Sequence, residues 1–364
     1  MLRLFFDARY TRPRVHDGIS RFSASLIEAV AEHAEVTLLI SDEEQLNLLP
    51  EGLPRLRITS PTSPREPWVA RQINPHRPDV VFSPMQTMGG FGRSYPLILT
   101  LHDLIYYEHR TPPRDLPGPV RLGWRLYHLS YLPQRFVLNR ADAVATVSET
   151  TRGLMHDHRL TRRPIELIPN APQPVAEPRD PEQAPSRDLV YMGSFMAYKN
   201  VETLVRALEE LPDHRLHLCS PIAASRREEL AALAVRPEQL VFHDGIDEAD
   251  YRELLRTAEA LVTLSRAEGY GLPVVEAMAH GTPTIVSDLP IFAEIAGEAV
   301  ASRGAQIVDP DRPEQLAAAV RTLEDRRVFA EASRAARRRS ADFSWEDSAR
   351  RLVELGERLA ADRS

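Results

Sequence analysis

Short apolar runs alternate with amphipathic stretches along the chain. Before residue 170 the runs are Leu2–Phe6, Val36–Ile40, Val80–Ser83, Leu97–Leu101, Ala143–Val147 and Ile165–Ile168. After residue 187 they are Leu189–Met192, Leu216–Cys219, Leu240–Phe242, Ala260–Leu264 and Thr284–Ser287. Between the first two runs, Phe22, Leu26, Ile27 and Val30 have the spacing of a helix that faces a core. Buried strands separated by helices predict an α/β protein with doubly wound parallel sheets.

A proline-rich segment separates the two series of runs. Residues 171–187 contain five prolines, which remove backbone donors and favour a semi-extended linker. The 364 residues are enough for two domains, each with its own core. We therefore predict an N-terminal domain over residues 1–172 and a C-terminal domain over residues 173–342. We expect a last helix, at about 343–364, to pack back on the first domain.

Charge and composition exclude several classes of protein. The net charge of −7 argues against general nucleic-acid binding. Residues 1–175 carry 21 basic and 18 acidic groups, whereas residues 176–364 carry 24 and 34, which indicates different partners for the two halves. A single cysteine, Cys219, excludes an internal disulfide. Because we find neither a signal-peptide pattern nor a spanning apolar run, we expect a cytoplasmic protein. Peripheral association with the inner face of a membrane stays open.

The segment 265–283 carries the clearest chemistry. Gly269 and Gly271 follow an apolar run, and Val274–His280 then has the pattern of a helix, whose N-terminus suits an anion. Glu268 and Glu276 stand eight positions apart and would contact different parts of one bound molecule. A carboxylate can accept two sugar hydroxyls at once. The alternative is that Glu268 caps the helix and Glu276 lies on the surface.

Lys199 is the only lysine among 45 basic residues. It follows the turn at Gly193 and Ser194 and precedes a helix start at Asn200. A compact ammonium makes a point contact with phosphate, so we interpret Lys199 as a phosphate ligand. A chance of composition is the alternative.

Two features of the first half suggest ligand contacts. Gly18 and Ile19, directly after Asp17, open a helix whose amides suit a diphosphate, although such a turn also occurs for structural reasons alone. His102 and Asp103 end the run Leu97–Leu101. A histidine in this position is more often a packed or capping residue.

These segments together resemble the family 4 retaining glycosyltransferases. The donor-site signature of that family is similar to Glu268–Pro283, its phosphate turn to Gly193–Asn200, its glycine loop to Asp17–Phe22 and its His-Asp pair to His102–Asp103. The similarity is greatest to a branch with many bacterial α-mannosyltransferases. It implies the GT-B fold, in which two Rossmann-like domains face a cleft.

The resemblance also implies roles for individual residues. The catalytic candidates are His102, Lys199 and Glu268. The donor-binding candidates are Gly18, Ile19, Gly193, Ser194, Lys199, Gly245, Ile246, Glu268, Gly269, Tyr270, Gly271, Leu272 and Glu276. In this scheme Glu276 holds the ribose and Glu268 the hexose. The chain departs from the pattern at Ser194, where many relatives have arginine, and at Tyr198, where arginine often precedes the lysine.

Residues 110–140 interleave arginines with aromatic residues. The arginines are Arg110, Arg114, Arg121, Arg125, Arg135 and Arg140, and the aromatic residues include Trp124, Tyr127, Tyr131 and Phe136. One interpretation is a helix with snorkelling arginines. The other is a surface that meets an anionic or lipid-linked acceptor at a membrane. On the second interpretation the acceptor-side candidates are Asp103, Arg121, Trp124 and Arg125.

The resemblance implies a retaining transfer of a hexose from a nucleotide sugar to a hydroxyl of a glycan, lipid-linked or small-molecule acceptor. GDP-mannose is the first expectation for the donor and a UDP-hexose the second. We expect no metal and no other cofactor. Two alternatives stay open, a nucleotide-sugar epimerase or hydrolase of the same fold and a non-catalytic binding subunit.

Overall fold

A computed structural model describes residues 1–13, 18–111 and 118–363, which form two compact units. The first unit comprises Met1–Asn170 and Ser344–Ser364, and the second comprises Ala171–Phe343. Asp17 and Arg114 lie outside the described residues.

The first unit is built on a parallel seven-stranded sheet with the strand order β3-β2-β1-β4-β5-β6-β7. Its strands are β1 (Arg3–Asp7), β2 (Glu35–Ile40), β3 (Arg55–Arg57), β4 (Val80–Ser83), β5 (Leu97–Leu101), β6 (Ala143–Thr146) and β7 (Ile165–Leu167). Its helices are α1 (Gly18–Ala31), α2 (Ala70–Ile73), α3 (Ile105–Glu108), α4 (Gly118–Tyr127), α5 (Leu132–Leu138), α6 (Glu149–Asp157) and, at the end of the chain, α14 (Trp345–Ala361). Short 3₁₀ helices occur at Glu43–Leu48, Glu66–Trp68 and Asn74–His76.

The second unit contains a parallel six-stranded sheet with the order β10-β9-β8-β11-β12-β13. Its strands are β8 (Asp188–Tyr191), β9 (Arg215–Leu218), β10 (Leu240–Phe242), β11 (Ala260–Thr263), β12 (Thr284–Ser287) and β13 (Ala305–Val308). Its helices are α7 (Val201–Ala207), α8 (Ala224–Leu233), α9 (Glu248–Thr257), α10 (Leu272–His280), α11 (Pro290–Ala296), α12 (Pro313–Leu323) and α13 (Arg326–Ser340). Its 3₁₀ helices are Ala197–Lys199, Leu208–Glu210, Pro237–Gln239 and Gly297–Val300.

The predicted fold class is confirmed for each unit. Every apolar run that we interpreted as a strand forms one, and central strands such as β4 and β11 are buried along their whole length. Two strands were not predicted, β3 and β13, and both lie at an edge of their sheet. An edge strand has one neighbour and needs few apolar residues, as Arg-Leu-Arg in β3 illustrates. No helix within the described ranges combines the length and the apolarity that crossing a bilayer requires.

The C-terminal helix α14 packs on the sheet of the first unit. Ser344 caps the helix by accepting a hydrogen bond from the Asp347 amide, and Ser348 Oγ donates to the Pro169 carbonyl at 2.8 Å. At Gly356 the helix comes so close to the sheet that an added Cβ would lie 2.7 Å from a methyl group of Leu2. The residues that follow the second unit in sequence therefore complete the core of the first.

In the second unit, α13 packs directly against the start of β13, and this contact depends on Gly304. A Cβ at Gly304 would lie 2.6 Å from the backbone nitrogen of Ala336. We expect Gly304→Ala to lower the free energy of unfolding by about 1–3 kcal/mol, because helix backbone cannot move aside as a side chain can. Thermal and urea unfolding would measure this.

The matched control for this substitution is Gly153→Ala in α6, where an added Cβ meets no atom within 4 Å. There alanine should stabilise by roughly 0.5–1 kcal/mol, the ordinary gain in a helix interior. Equal effects of the two substitutions would contradict the close contact at Gly304.

Candidate active site

The strand order of the second sheet reverses between β8 and β11, which are neighbours in space. In open parallel sheets, ligands bind beyond the carboxyl ends of the strands at such a reversal. The segment after β8 contains Gly193 and Lys199, and the segment after β11 contains Glu268 and Gly271. The topology thus brings the two strongest sequence motifs together.

Lys199 and Glu268 form an ion pair at this place. Lys199 Nζ lies 2.6 Å from Glu268 Oε1, and the two side chains are only 14% and 13% exposed. Ser265 Oγ donates a second hydrogen bond to the same oxygen at 2.9 Å. The carboxylate therefore neutralises the only lysine ammonium of the protein. Sequence reasoning assigned both residues but did not foresee that they bind each other, and it missed Ser265.

Asn200 holds the Lys199 turn against the neighbouring loop. It adopts the left-handed conformation, with φ of 53°, and is almost fully buried. Its side-chain amide donates to the carbonyl oxygens of Leu264 at 3.0 Å and Pro310 at 2.7 Å. The Arg266 amide also donates to the Tyr198 carbonyl at 2.7 Å. Three segments of backbone are joined in this way, and the position of Lys199 is fixed. The one signal in the sequence was an asparagine at a helix start.

The glycines of the two motifs have structural causes. Gly271 has φ of 97°, and an added Cβ there would lie 2.7 Å from the Phe292 ring. At Gly193 an added Cβ would lie 2.8 Å from the Tyr191 hydroxyl, which itself donates to the Ser194 carbonyl. The Gly193 amide already donates to Ser220 Oγ at 3.1 Å. The fold thus explains Gly193 and Gly271 without a ligand.

The remaining donor-side candidates near the end of β11 differ in exposure. Tyr270 is buried, and burial raises the pKa of its hydroxyl well above the usual range. Gly269 lies in a bend, and Leu272 begins α10; both are half-buried. The backbone groups of Gly269 and Leu272, rather than the Tyr270 side chain, therefore remain candidates for contact with a ligand.

Glu276 lies in a groove of about 410 Å³ in the second unit. Residues 172–177 of the linker, α9 and α10 form its walls, and His280 lies one helical turn beyond Glu276. The alternative of a surface position for Glu276 is excluded, because this residue is only 9% exposed, and its role as a ligand of the ribose stays a prediction. Among the described residues, Glu268 does not line this groove, so the two glutamates lie at different places in the second unit.

Gly245 and Ile246 form the turn before α9. Gly245 has φ of 103°, and both amides donate to the Cys219 carbonyl, at 3.2 and 2.9 Å. The groove that contains Glu276 begins only two residues later, at Glu248. The two amides are thus already used within the protein, and neither Gly245 nor Ile246 lines the groove.

In the first unit, His102, Asp103 and Ile19 line a small cavity of about 110 Å³. His102 Nε2 lies 2.7 Å from the Pro84 carbonyl and must therefore donate to it, which leaves Nδ1 as an acceptor. Burial lowers the pKa of His102, and the Pro84 carbonyl opposes this only in part. The imidazole is accordingly a neutral group. Asp103 accepts a hydrogen bond from the Ile105 amide, at the start of α3, at 3.0 Å.

The other candidates of the first unit are more dispersed. Gly18 begins α1, and an added Cβ there would meet no atom within 4 Å. Trp124 reaches the cavity only indirectly, since its ring lies 4.1 Å from that of His128, which lines the cavity. Arg121 and Arg125 do not line it. The structure therefore separates these two arginines from the His102–Asp103 pair.

The described residues include no group of three metal-ligating side chains. The absence of a metal from the reaction stays a prediction.

Comparison with solved structures defines the class of fold. A sucrose-phosphate synthase from Thermosynechococcus elongatus matches with a TM-score of 0.77 and 19% identity over 100% of both chains. The predicted GT-B fold class is thus confirmed. Family models match both units: "Glycosyltransferase Family 4" over residues 16–172 and "Glycosyl transferases group 1" over residues 176–341. The chain belongs to the family 4 glycosyltransferases, and the resemblance noted from its motifs is confirmed.

Mannosyltransferases are among the similar curated proteins. An MMP alpha-(1->4)-mannosyltransferase from Mycolicibacterium hassiacum is 24% identical over 73% of this chain and 66% of its own. A GDP-mannose:cellobiosyl-diphosphopolyprenol alpha-mannosyltransferase from Xanthomonas oryzae pv. oryzae is 33% identical over 38% of each chain. The first curated relatives are matched over 37%, 66% and 61% of their own length.

The groove that contains Glu276 also contains His280, a histidine with a lowered pKa. Burial, together with Arg252 and Arg337, lowers the pKa of His280 to about 4, although Glu248 acts in the opposite direction. Between pH 6.5 and 4 the unfolded chain then binds a proton at this residue that the folded chain does not. As the pH is lowered from 6.5 to 4, the free energy of unfolding should therefore decrease, by up to about 3 kcal/mol from this residue.

The substitution His280→Gln removes the titration, so its unfolding free energy should depend less on pH between 6.5 and 4 than that of the wild type. Urea unfolding at several pH values would measure the difference. The matched control is His156→Gln, on the exposed surface of α6. A wild-type pH profile in His280→Gln would contradict the lowered pKa.

Proposed function

We propose that the protein is a retaining glycosyltransferase that transfers mannose from GDP-mannose to an acceptor hydroxyl without a metal. The observation that carries this proposal is the Lys199–Glu268 pair at the reversal of the second sheet, in a chain of this family. The names of the two mannosyltransferase relatives support mannose and one of them supports GDP-mannose. The acceptor hydroxyl belongs to a glycan, a lipid-linked sugar or a small molecule.

Lys199 in this proposal binds the diphosphate of the donor. The diphosphate replaces Glu268 as the partner of the ammonium, and the freed carboxylate accepts hydroxyls of the transferred sugar. Ser265 continues to orient Glu268 while this exchange takes place. An ammonium that is already fixed stabilises the charge that develops on the leaving phosphate, and stabilisation of this kind usually contributes most to the rate. The amides at Gly269–Leu272 and at Gly18–Ile19 contribute further donors to the diphosphate.

The proposed enzyme retains the configuration of the anomeric carbon, and no side chain is assigned as a nucleophile. The transfer step is therefore a direct reaction of the acceptor with the donor. The acceptor oxygen forms a bond to the anomeric carbon on the face from which the phosphate leaves. The bond between that carbon and the phosphate oxygen breaks, and its electron pair goes to the nucleoside diphosphate. The acceptor proton goes to the leaving phosphate oxygen. His102, as a neutral imidazole, accepts a hydrogen bond from the transferred sugar through Nδ1.

Incubation with several nucleotide sugars tests this function. With GDP-mannose, release of GDP should depend on an acceptor and persist in EDTA. Release from a UDP-hexose instead would favour the second donor. Release without acceptor would favour a hydrolase, a change of the sugar without release an epimerase, and no reaction a binding subunit. Loss of turnover in EDTA, restored by Mg²⁺ or Mn²⁺, would contradict the metal-independent mechanism.

Glu276 is proposed to hold the ribose of the nucleotide from its place in the groove. Glu276→Ala should weaken GDP binding roughly ten- to a hundredfold, because a charged hydrogen bond of about 1.5–3 kcal/mol is lost. Isothermal titration calorimetry on the folded variant measures this. Glu229→Ala, on the surface of α8, is the matched control and should bind GDP normally. The same affinity in both variants would remove Glu276 from the site.

Lys199 should matter more in the transition state than in the bound state, because the charge on the phosphate rises as the glycosidic bond breaks. Lys199→Ala should therefore lower kcat by roughly two to three orders of magnitude, as the loss of one oxyanion donor does. Lys199→Arg keeps the charge but not the point geometry and should restore only part of the rate. Steady-state kinetics on both variants measures the effect.

The double variant Lys199→Ala/Glu268→Gln separates catalysis from stability. Removal of Lys199 alone leaves a largely buried carboxylate without its cation, which destabilises the fold. The double variant has no such charge, so it should regain thermal stability but remain inactive.

Wild-type kcat in Lys199→Arg would show that the lysine is an accident of composition.

A further inference from the structure

The exposed apolar side chains of the protein are concentrated in one part of the first unit. Among the described residues, eleven large apolar side chains are exposed. Six of them lie between residues 120 and 136, in α4, α5 and the link between these helices: Val120, Leu122, Leu126, Leu129, Leu132 and Phe136. Such a concentration in a water-facing surface marks a binding surface rather than the scattered exposure of an ordinary one.

Two more exposed aromatic residues join this segment through an arginine. The Arg140 guanidinium lies 5.2 Å from the centre of the Phe136 ring and 4.0 Å from that of Phe91. Phe91 in turn lies 6.3 Å from Trp68. We call these eight apolar residues the exposed apolar surface. It combines leucine, phenylalanine, tryptophan and arginine, which is the composition of helices that lie in the interface of a bilayer.

The charged residues of the helix segment of this surface all have one sign. Residues 116–141 contain four arginines, at 121, 125, 135 and 140, and no aspartate or glutamate. Arg125 and Arg140 are exposed. A second copy of the chain would bring these arginines against their own equivalents across a two-fold axis, with no carboxylate in the segment to pair with them. An anionic lipid surface accepts both the leucines and the arginines.

The inner face of the two helices is anchored by aromatic contacts. Tyr106 lies edge-on to Trp124 with the ring centres 5.0 Å apart, and Tyr107 lies 4.3 Å from Tyr131. The Tyr127 hydroxyl donates to Gln134 at 2.9 Å, which joins α4 to α5. These contacts hold the inner side of the helices to the rest of the unit. The leucines on the opposite side are therefore exposed.

We infer that the exposed apolar surface docks the protein on a bilayer that contains anionic lipids. The inference deepens the proposed function by naming the surface on which the acceptor is met. Tyr106, Tyr107 and His128, which hold the inner side of the helix pair, also line the cavity of His102 and Asp103. The side chains that anchor α4 and α5 therefore also line that cavity.

Vesicle flotation with the full chain tests the inference in the absence of any donor. The probes are vesicles of phosphatidylcholine alone and of phosphatidylcholine with phosphatidylglycerol. The wild type should bind the anionic vesicles at least about tenfold more strongly than the neutral ones, since anionic headgroups attract the exposed Arg125 and Arg140. High salt should reduce the difference. Equal or absent binding to both vesicles would overturn the proposal.

Two double variants test the surface itself. Leu126→Ser/Phe136→Ser removes two apolar side chains from it and should reduce binding to anionic vesicles about tenfold or more. The matched control is Val235→Ser/Val300→Ser, at exposed positions of the second unit, and should bind as the wild type does. Equal binding by the two variants would overturn the assignment of this surface.

Two further measurements keep the outcomes apart. Melting temperature and GDP affinity, which should stay at wild-type values in Leu126→Ser/Phe136→Ser, show that the variant is folded. Sedimentation equilibrium would reveal a dimer of the wild type that this variant loses, and that result would overturn lipid docking in favour of a contact between copies. Failure of GDP to bind the wild type would instead overturn the proposed function and leave vesicle binding untouched.

Discussion

The second unit depends on one buried side chain, the amide of Asn200. It lies directly after the turn that carries Lys199, in the left-handed conformation, and donates to the carbonyls of Leu264 and Pro310. These carbonyls belong to the segments after β11 and β13, so three strand ends are fixed to each other by one group. A buried amide that satisfies two carbonyls has a single geometry, because any shift would leave polar groups without partners. The place of Lys199 is therefore set by the fold and does not depend on a ligand.

This rigidity gives the Lys199–Glu268 pair its chemical meaning. Two largely buried charges at 2.6 Å stabilise each other, but the pair gains little over the desolvation that it costs. An anion of higher charge can therefore displace the carboxylate from the ammonium at modest cost. Because Ser265 also holds Glu268, the displaced carboxylate keeps its place, and one exchange of partners prepares both the phosphate and the sugar contacts of the proposed reaction. The glycines near the pair are required by Tyr191 and Phe292, which shows that the turns are shaped by protein packing.

In the first unit the candidate residues are positioned in a different way. Its neutral histidine, His102, is positioned by a backbone carbonyl, and the neighbouring cavity is closed by the aromatic residues that also anchor α4 and α5. Those helices carry apolar residues on both sides, one side packed and the other exposed. Such a helix satisfies the core of its own unit and still offers a surface to a second apolar phase. The arginines of the segment, which periodicity alone would place on a solvated face, give this surface its preference for anions.

Local pattern in the sequence predicted eleven of the thirteen strands that the described residues form, and the motifs. Buried parallel strands require continuous apolar runs, which are visible in the sequence, and the motifs stand out by their glycines and by the single lysine, Lys199. The edge strands β3 and β13 were invisible, because an edge strand needs little apolar sequence. Only the tertiary structure decided that Glu268 pairs with Lys199, that the buried residues Glu276 and His280 line one groove, and that Arg121 and Arg125 do not line the cavity of His102. These relations join residues that are distant in sequence or depend on which face of a helix packs, and no local pattern contains the position of a partner that arrives from another strand.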